Sequence, residues 1–223
     1  MEKLIVPFLS ALVLVPVTLL PIINPLGAAP IFVKMVGSNR ANAARLARQV
    51  AINSWFVLVA CMLIGTYVLS LFGVSLPAVR LGGGLLLATA GWRMLHSAEE
   101  DDVQAAVAEE ASGISDYDLV RRTFFPLTFP LTTGPGTIAA SIALGAQIPA
   151  TPVLFVAGAL VAAAGAAVTS LVLYYVFKNS AQVLARLGDV GTLVMMRLMA
   201  FILLCIGIQI MWTGWAELNG IKP

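Results

Sequence analysis

Apolar residues run along most of this chain in stretches long enough to cross a lipid bilayer, and short polar segments separate them. A helix needs about 20 apolar residues to span the hydrocarbon core. Six stretches meet this length, so the pattern predicts an all-α integral membrane protein with six transmembrane helices. The predicted spans cover about Phe8–Val36, Gln49–Phe72, Leu76–Leu95, Phe124–Ile148, Val153–Phe177 and Leu193–Trp215.

The connections between these spans differ in length and charge. Residues 73–77 and 147–152 form short uncharged turns, whereas Lys34–Arg48 is a basic, polar linker. The long loop between Arg93 and Arg122 holds eight of the eleven acidic residues. We interpret this loop as a solvated linker, with a metal-binding group of carboxylates as the less favoured alternative.

Composition points to the same class of protein. Hydrophobic residues make up 60% of the chain and charged residues 11%, against about 25% charged in an ordinary soluble domain. The mean hydropathy is +0.95. This hydropathy makes the lipid bilayer the expected surrounding. The net charge of +2 and the lack of a basic run argue against a nucleic-acid partner. A homo-oligomer is compatible with this pattern.

The distribution of Lys and Arg predicts the orientation. The loops after spans one, three and five hold nine of the thirteen basic residues, and such loops usually face the cytoplasm. We therefore expect a multi-pass protein of the plasma (inner) membrane, with both termini outside and the acidic loop cytoplasmic. Span one is expected to be retained, because prolines and Asn24 stand where a signal-peptide cleavage site would fall.

The two halves of the chain resemble each other. Spans one and four each carry three prolines spread over nine positions: Pro16, Pro21 and Pro25, and Pro126, Pro130 and Pro135. Span three begins Arg80-Leu81 and span six carries Arg197-Leu198 before a similar apolar run. The pattern predicts a 3+3 inverted repeat, with residues 1–95 and 123–223 as the repeats and residues 96–122 as the loop between them.

The clustered prolines predict that helices one and four are broken at mid-membrane, since proline removes a backbone donor and clashes with the preceding turn. Unwound backbone at this depth is tolerated where it is buried in protein or lines a wet cavity. A kinked helix, whose free carbonyls accept hydrogen bonds from Ser and Thr, is the alternative. Two breaks at matching places favour a central binding site.

The chemistry of these breaks suits a small zwitterion. New half-helices begin near Gly27 and Gly136, and their first amides and dipoles favour a carboxylate. Unwound carbonyls would accept from an ammonium group. Thr128 and Thr133 are equally well explained as partners of freed backbone groups. The candidate substrate-binding residues are Asn24, Pro25, Gly27, Thr132, Thr133, Gly134, Pro135, Gly136 and Thr137.

Other chemistry finds little support in the sequence. Acidic residues are missing from the middle of every predicted span, which argues against a buried carboxylate proton relay. The single His and the separated Cys61 and Cys205 offer neither a metal site nor a catalytic constellation. We therefore expect no enzymatic activity, no catalytic residue, no metal and no cofactor.

Two segments of the broken helices resemble the signature segments of the MarC family. They are Asn24–Phe32 and Pro130–Ala139, and the resemblance extends to chain length, six spans and the polar central loop. It implies an integral membrane protein of the lysine exporter superfamily. Members of the SnatA type are associated with transport of small neutral amino acids such as glycine and alanine.

The expected function is therefore secondary transport of a small neutral amino acid by alternating access. The solute would lie where the two breaks meet, between Asn24–Gly27 and Thr132–Thr137. A pore or channel, and a non-transporting membrane protein with a role in drug resistance, are the alternatives.

Overall fold

The computed structural model describes residues 2–36, 40–96, 127–129, 132–149 and 151–221, which form helices joined by turns. The acidic loop predicted for residues 96–122 lies outside these residues except for His96, as do Pro126 and Pro130. The described helices are α1 (Glu2–Ile23), α2 (Pro25–Val36), α3 (Arg40–Leu71), α4 (Leu76–His96), α5 (Pro135–Gly145), α6 (Pro152–Lys178) and α7 (Ser180–Leu218).

The membrane character of the fold follows from the length and composition of its helices. Three described helices are long and apolar enough to cross a membrane: Ala41–Leu71 within α3, α6 and α7. The pair formed by α1 and α2, bent by 54°, makes a fourth candidate. The prediction of an all-α membrane protein is confirmed at this level.

Two of the six predicted spans are not among these candidates. α4 is a continuous helix at the place of the third span, but Arg80, Arg93 and three consecutive glycines lower its hydropathy. The fourth span is described from Leu127 onward, and α5 is a short apolar helix of 11 residues.

Two helices begin earlier than the sequence pattern predicts. α3 begins at Arg40, so much of the predicted basic linker is helical. Its alanines and arginines are strong helix formers, which explains the extension. α7 begins at Ser180 and is interrupted at Gly188, where φ is 65°. Glycine adopts this left-handed conformation without steric penalty.

α4 and α7 pack against each other with their backbones in contact. A Cβ atom at Gly214 would lie 2.7 Å from the carbonyl oxygen of Pro77, and one at Gly91 would lie 2.8 Å from that of Ala200. These contacts show that the two helices run antiparallel. The absence of side chains at such positions permits close helix approach in membrane proteins. Near one end of the pair, Arg80 and Glu217 form an ion pair.

The broken helices run alongside the second helix pair, α3 and α6. Val15 of α1 packs against Gly165 of α6, and Phe32 of α2 stacks on Phe177 near the end of α6. The first broken helix, α1 with α2, is therefore parallel to α6. Its buried face contributes to a hydrophobic core that also includes Leu19, Leu58, Leu173 and Ala166.

The second broken segment, Leu127–Phe129 with Thr132 and α5, follows α3 in the same direction. Asn53 of α3 donates to Thr128 at one end, and Met62 contacts Gly145 at the other. α5 also packs antiparallel to α4, because Gly136 contacts Leu87 and, further along α5, Ala139 contacts Gly83. Both breaks consequently lie inside the bundle, between the two helix pairs.

Candidate functional site

The first break, Asn24–Gly27, is a single left-handed residue followed by a new helix. Asn24 has φ 50°, and its amide donates to the carbonyl of Leu20 at 3.0 Å. Proline at position 25 disfavours the right-handed helical conformation of the residue before it. Asn is one of the few residues that tolerate the left-handed alternative. The sequence Asn-Pro therefore sets the break at this residue.

Asn24 also caps the helix that it begins. Its side-chain Oδ1 accepts a hydrogen bond from the amide of Gly27 at 3.1 Å, and its carbonyl accepts from Ala28 at 3.1 Å. The Asn24 side chain is buried, with 7% of the residue exposed. Of the amides at the start of α2 that lack an intrahelical acceptor, that of Gly27 is therefore taken up by Asn24 itself.

The carbonyl oxygens at the end of α1, unlike these amides, lose the hydrogen-bond partners that a continuous helix would provide. In a continuous helix the amide of Gly27 would donate to the carbonyl of Ile23, but here it donates to Asn24. Pro25 has no N–H to offer the carbonyl of Pro21. The first break therefore carries the negative end of the α1 dipole without these intrahelical donors.

At the second break, Thr132–Thr137, three of the described carbonyls accept hydrogen bonds from threonine side chains. The hydroxyl of Thr132 donates to the carbonyl of Leu127 at 2.6 Å, and that of Thr133 to the carbonyl of Thr128 at 2.9 Å. Thr137 donates to the carbonyl of Thr132 at 3.4 Å. Each bond reaches five residues back, as the wide turn here requires. The hypothesis that threonines satisfy freed backbone groups thus agrees with the geometry at this break.

The first amides of α5, in contrast, have no side-chain cap. α5 begins after Gly134, which has extended backbone and no side chain with which to cap the helix. Pro135 occupies its first turn and has no N–H. The amides of Gly136 and Thr137 lie in that first turn, where a helix supplies no acceptor. The second break therefore carries the positive end of the α5 dipole.

Two of the predicted glycines have close neighbours other than a ligand. A Cβ atom at Gly27 would collide with the side chain of Asn24, and one at Gly136 would collide with Leu87 of α4. Glycine at these positions thus permits the Asn24 cap and the packing of α5 on α4. Their proposed role in ligand approach stays a prediction.

Most of the predicted site residues are buried in the bundle. Gly134 is half-buried and Pro135 is exposed. The helices that carry the two breaks also meet, since α1 packs against α5. Among the described residues, no group of three His, Cys, Asp or Glu side chains comes together to hold a metal ion. The predicted site residues that are buried are Asn24, Pro25, Gly27, Thr132, Thr133, Gly136 and Thr137.

Two buried polar residues, Ser54 of α3 and Ser170 of α6, are not among the residues that the sequence pattern singled out. They lie in similar segments, Ala51-Ile52-Asn53-Ser54 and Ala167-Val168-Thr169-Ser170. The serines are 116 positions apart, between the 110 that separate Pro25 from Pro135 and the 117 that separate Arg80 from Arg197. A comparison of the second and fifth predicted spans with each other would have found this shared segment.

Comparison with known proteins places the chain among bacterial membrane proteins. A model of the MarC family of integral membrane proteins matches residues 9–219. The UPF0056 inner membrane protein MarC of Salmonella typhimurium (strain LT2) is 27% identical over 215 residues, which cover 91% of this chain and 92% of that protein.

Proteins of the same name from two other bacteria are similar over the same shares of each chain. The Citrobacter koseri protein is 29% identical over 209 residues, and that of Escherichia coli O139:H28 is 28% identical over 208 residues. No solved structure matches the chain.

Proposed function

The chain belongs to the MarC family of integral membrane proteins, and from this premise we propose that it is a secondary transporter for a small neutral amino acid. The substrate, of the size of glycine or alanine, binds between the first and second breaks and crosses the membrane by alternating access. The observation that carries the proposal is the opposite capping of the two breaks. One leaves carbonyl oxygens for an ammonium group, and the other leaves amides for a carboxylate.

We further propose that the helices form six spans in two inverted repeats of three. The directions of the contacting helices support this arrangement. The first broken helix is parallel to α6, the second broken segment is parallel to α3, and α4 is antiparallel to α7. Spans that alternate in direction along the chain give these relations for spans one and five, two and four, and three and six.

The proposed orientation has both termini outside and the acidic loop in the cytoplasm. The excess of Lys and Arg in the loops after spans one, three and five supports it. The inner-membrane location in the names of the relatives supports the same membrane for this chain. The names of these relatives give no substrate, so the substrate class rests on the chemistry of the breaks and the resemblance to SnatA-type transporters.

Uptake of labelled glycine into proteoliposomes tests the function. We expect saturable uptake that is accelerated by unlabelled glycine inside the vesicles, since a carrier exchanges substrate whereas an open pore does not. Asn24→Ala and Thr133→Ala are expected to lower this exchange. Non-saturable flux would indicate the pore instead. A lack of both flux and binding across the neutral amino acids would favour the non-transporting alternative.

A further inference from the structure

Two buried hydroxyl groups of the described residues differ from the others in their hydrogen bonding. Ser54 is 0% exposed and Ser170 is 6% exposed, and neither hydroxyl has a hydrogen-bond partner among the described residues. An unpaired polar group in a buried position destabilises a fold. By contrast, six other buried hydroxyls donate to backbone carbonyls: those of Thr132, Thr133, Thr137, Ser141, Thr169 and Ser180.

Ser54 faces the interior beside the second break. The preceding residue, Asn53, donates from its side-chain amide to Thr128 in the second broken segment at 3.4 Å. The following residue, Trp55, donates from its ring nitrogen to a carbonyl of α6 at 3.0 Å. Successive side chains on a helix are about 100° apart. Ser54 therefore points between the second broken segment and α6.

Ser170 has the corresponding position beside the first break. It lies about two turns before Phe177 on the same face of α6, and Phe177 stacks on Phe32 of α2. On the other side, Gly165 of α6 packs against Val15 of α1. These two contacts lie on either side of the first break. Ser170 therefore lies on the part of α6 that runs past the first break, on the face of α6 that carries Phe177.

We infer that Ser54 and Ser170 complete the two ends of the proposed binding site. The hydroxyl of Ser54 donates to the substrate carboxylate, beside the uncapped amides of Gly136 and Thr137. The hydroxyl oxygen of Ser170 accepts from the substrate ammonium, beside the free carbonyls at the end of α1. This inference rests on the proposed function and names the side chains that bind the two charges.

The equivalent positions of the two serines agree with their opposite roles. A hydroxyl is both donor and acceptor, so the same residue type serves a carboxylate in one repeat and an ammonium in the other. The caps at the breaks determine which charge each serine meets. A substrate that lacks either charge leaves one serine and its neighbouring backbone groups unpaired, which gives selectivity for zwitterions.

Glycine binding to purified protein in detergent tests the inference, with Ser54→Ala, Ser170→Ala and the matched control Ser141→Ala. Ser141 is equally buried, but its hydroxyl donates to the carbonyl of Thr137. We expect each of the first two variants to weaken glycine binding about tenfold or more, as for lost hydrogen bonds to charged groups. The control should stay within about twofold because its hydroxyl serves the helix backbone.

Competition with glycolate, which has the carboxylate and lacks the ammonium, shows which serine binds which charged group of the substrate. Ser170→Ala should narrow the difference in affinity between glycine and glycolate, whereas Ser54→Ala should leave it unchanged. An unchanged difference in Ser170→Ala would overturn the assignment. Ser→Cys variants at both positions repeat the measurement if an alanine variant folds poorly.

The stability of the ligand-free protein provides an independent readout. Ser54→Ala and Ser170→Ala should unfold at or above the temperature of the wild type, since each removes an unpaired group, whereas Ser141→Ala should unfold lower. Serine variants that are destabilised like the control would overturn the inference. Normal glycine binding in both Ser54→Ala and Ser170→Ala would overturn the inference about the serines and leave the proposed function in place. A wild-type protein that binds no small neutral amino acid would overturn the proposed function as well.

Discussion

At the first break a side-chain oxygen caps an amide, whereas at the second break side-chain hydroxyls cap carbonyl oxygens. Asn24 takes up the amide of Gly27, and the threonines of the second break take up the carbonyls of the residues before them. The three prolines of each break nevertheless cover the same distance along the chain. Two breaks that each contain three prolines thus differ in which backbone groups are capped, because a few side chains make these hydrogen bonds.

The half-helices that follow the breaks are also held differently. α2 packs against α7 and is joined to α6 by the stacked rings of Phe32 and Phe177, whose centroids are 4.7 Å apart. α5 is fixed to α3 by direct contact of Gly145 with the backbone of Met62. An aromatic pair can separate and re-form with small backbone movement, whereas a glycine contact requires the whole helix to shift. We therefore expect α2 to be the more easily displaced half-helix.

Phe32→Ala should lower the stability of the protein the most, because it removes one ring of the pair that joins α2 to α6. Truncation of a buried Phe costs about 3–5 kcal/mol in soluble cores, and we expect the low end because lipid is already apolar. Thermal unfolding in detergent, followed by far-UV circular dichroism, measures the change. Phe201→Ala is the control, since Phe201 is 55% exposed to the surroundings of the bundle. Equal shifts in the two variants would contradict the role of the aromatic pair.

Gly145→Ala should have the next largest effect. The new methyl group would collide with the carbonyl oxygen of Met62, which belongs to the backbone and cannot rotate away. Such overpacking costs about 2–3 kcal/mol. Gly82→Ala is the matched control, because nothing lies within 4 Å of a Cβ atom there. The control should be stabilised by about 0.5–1 kcal/mol through helix propensity. A Gly145→Ala protein as stable as the wild type would show that α5 is loosely held.

The places of the breaks could be predicted from the sequence, but their polarity could not. Proline fixes where a helical hydrogen bond is lost, so Pro25 and Pro135 marked both breaks. Which groups are then satisfied depends on side-chain torsions and on the width of the turn, and these are set by packing. The threonines that the pattern suggested as ligands donate to carbonyls five residues back, and their role as ligands stays a prediction. Ser54 was missed because a lone serine in an apolar span carries no periodic signal.

Asn24→Ala should have an intermediate effect, which separates into two parts. Loss of the side-chain cap costs about 1 kcal/mol, and the left-handed conformation costs alanine about 1 kcal/mol more. Asn24→Gly loses the cap but accepts the conformation, so the two variants should differ by the second amount alone. Thermal unfolding measures the stability of both. Equal stability of the alanine and glycine variants would mean that the chain has left the observed conformation.

The same two variants also test whether the Asn24 side chain sets the polarity of the first break. Either one frees the amide of Gly27, so the first break becomes more like the second. We expect glycine affinity to fall in both variants, while the affinity for glycolate falls less, because a second donor now favours a carboxylate. Parallel losses for the two ligands would argue that Asn24 acts by shaping the site rather than by setting its polarity.

The smallest expected effect is a difference in stability between variants of two adjacent threonines of the second break. Thr132→Val and Thr133→Val each remove one buried hydroxyl, at nearly constant volume. The carbonyl of Thr128 keeps a hydrogen bond from the amide of Thr133 at 2.7 Å, so Thr133→Val leaves no unpaired oxygen there. Loss of the 2.6 Å bond to Leu127 in Thr132→Val should therefore cost more, about 1 kcal/mol against a few tenths. Thermal unfolding of both variants measures this order, and a reversed order would mean that the hydroxyl of Thr133 has a second partner.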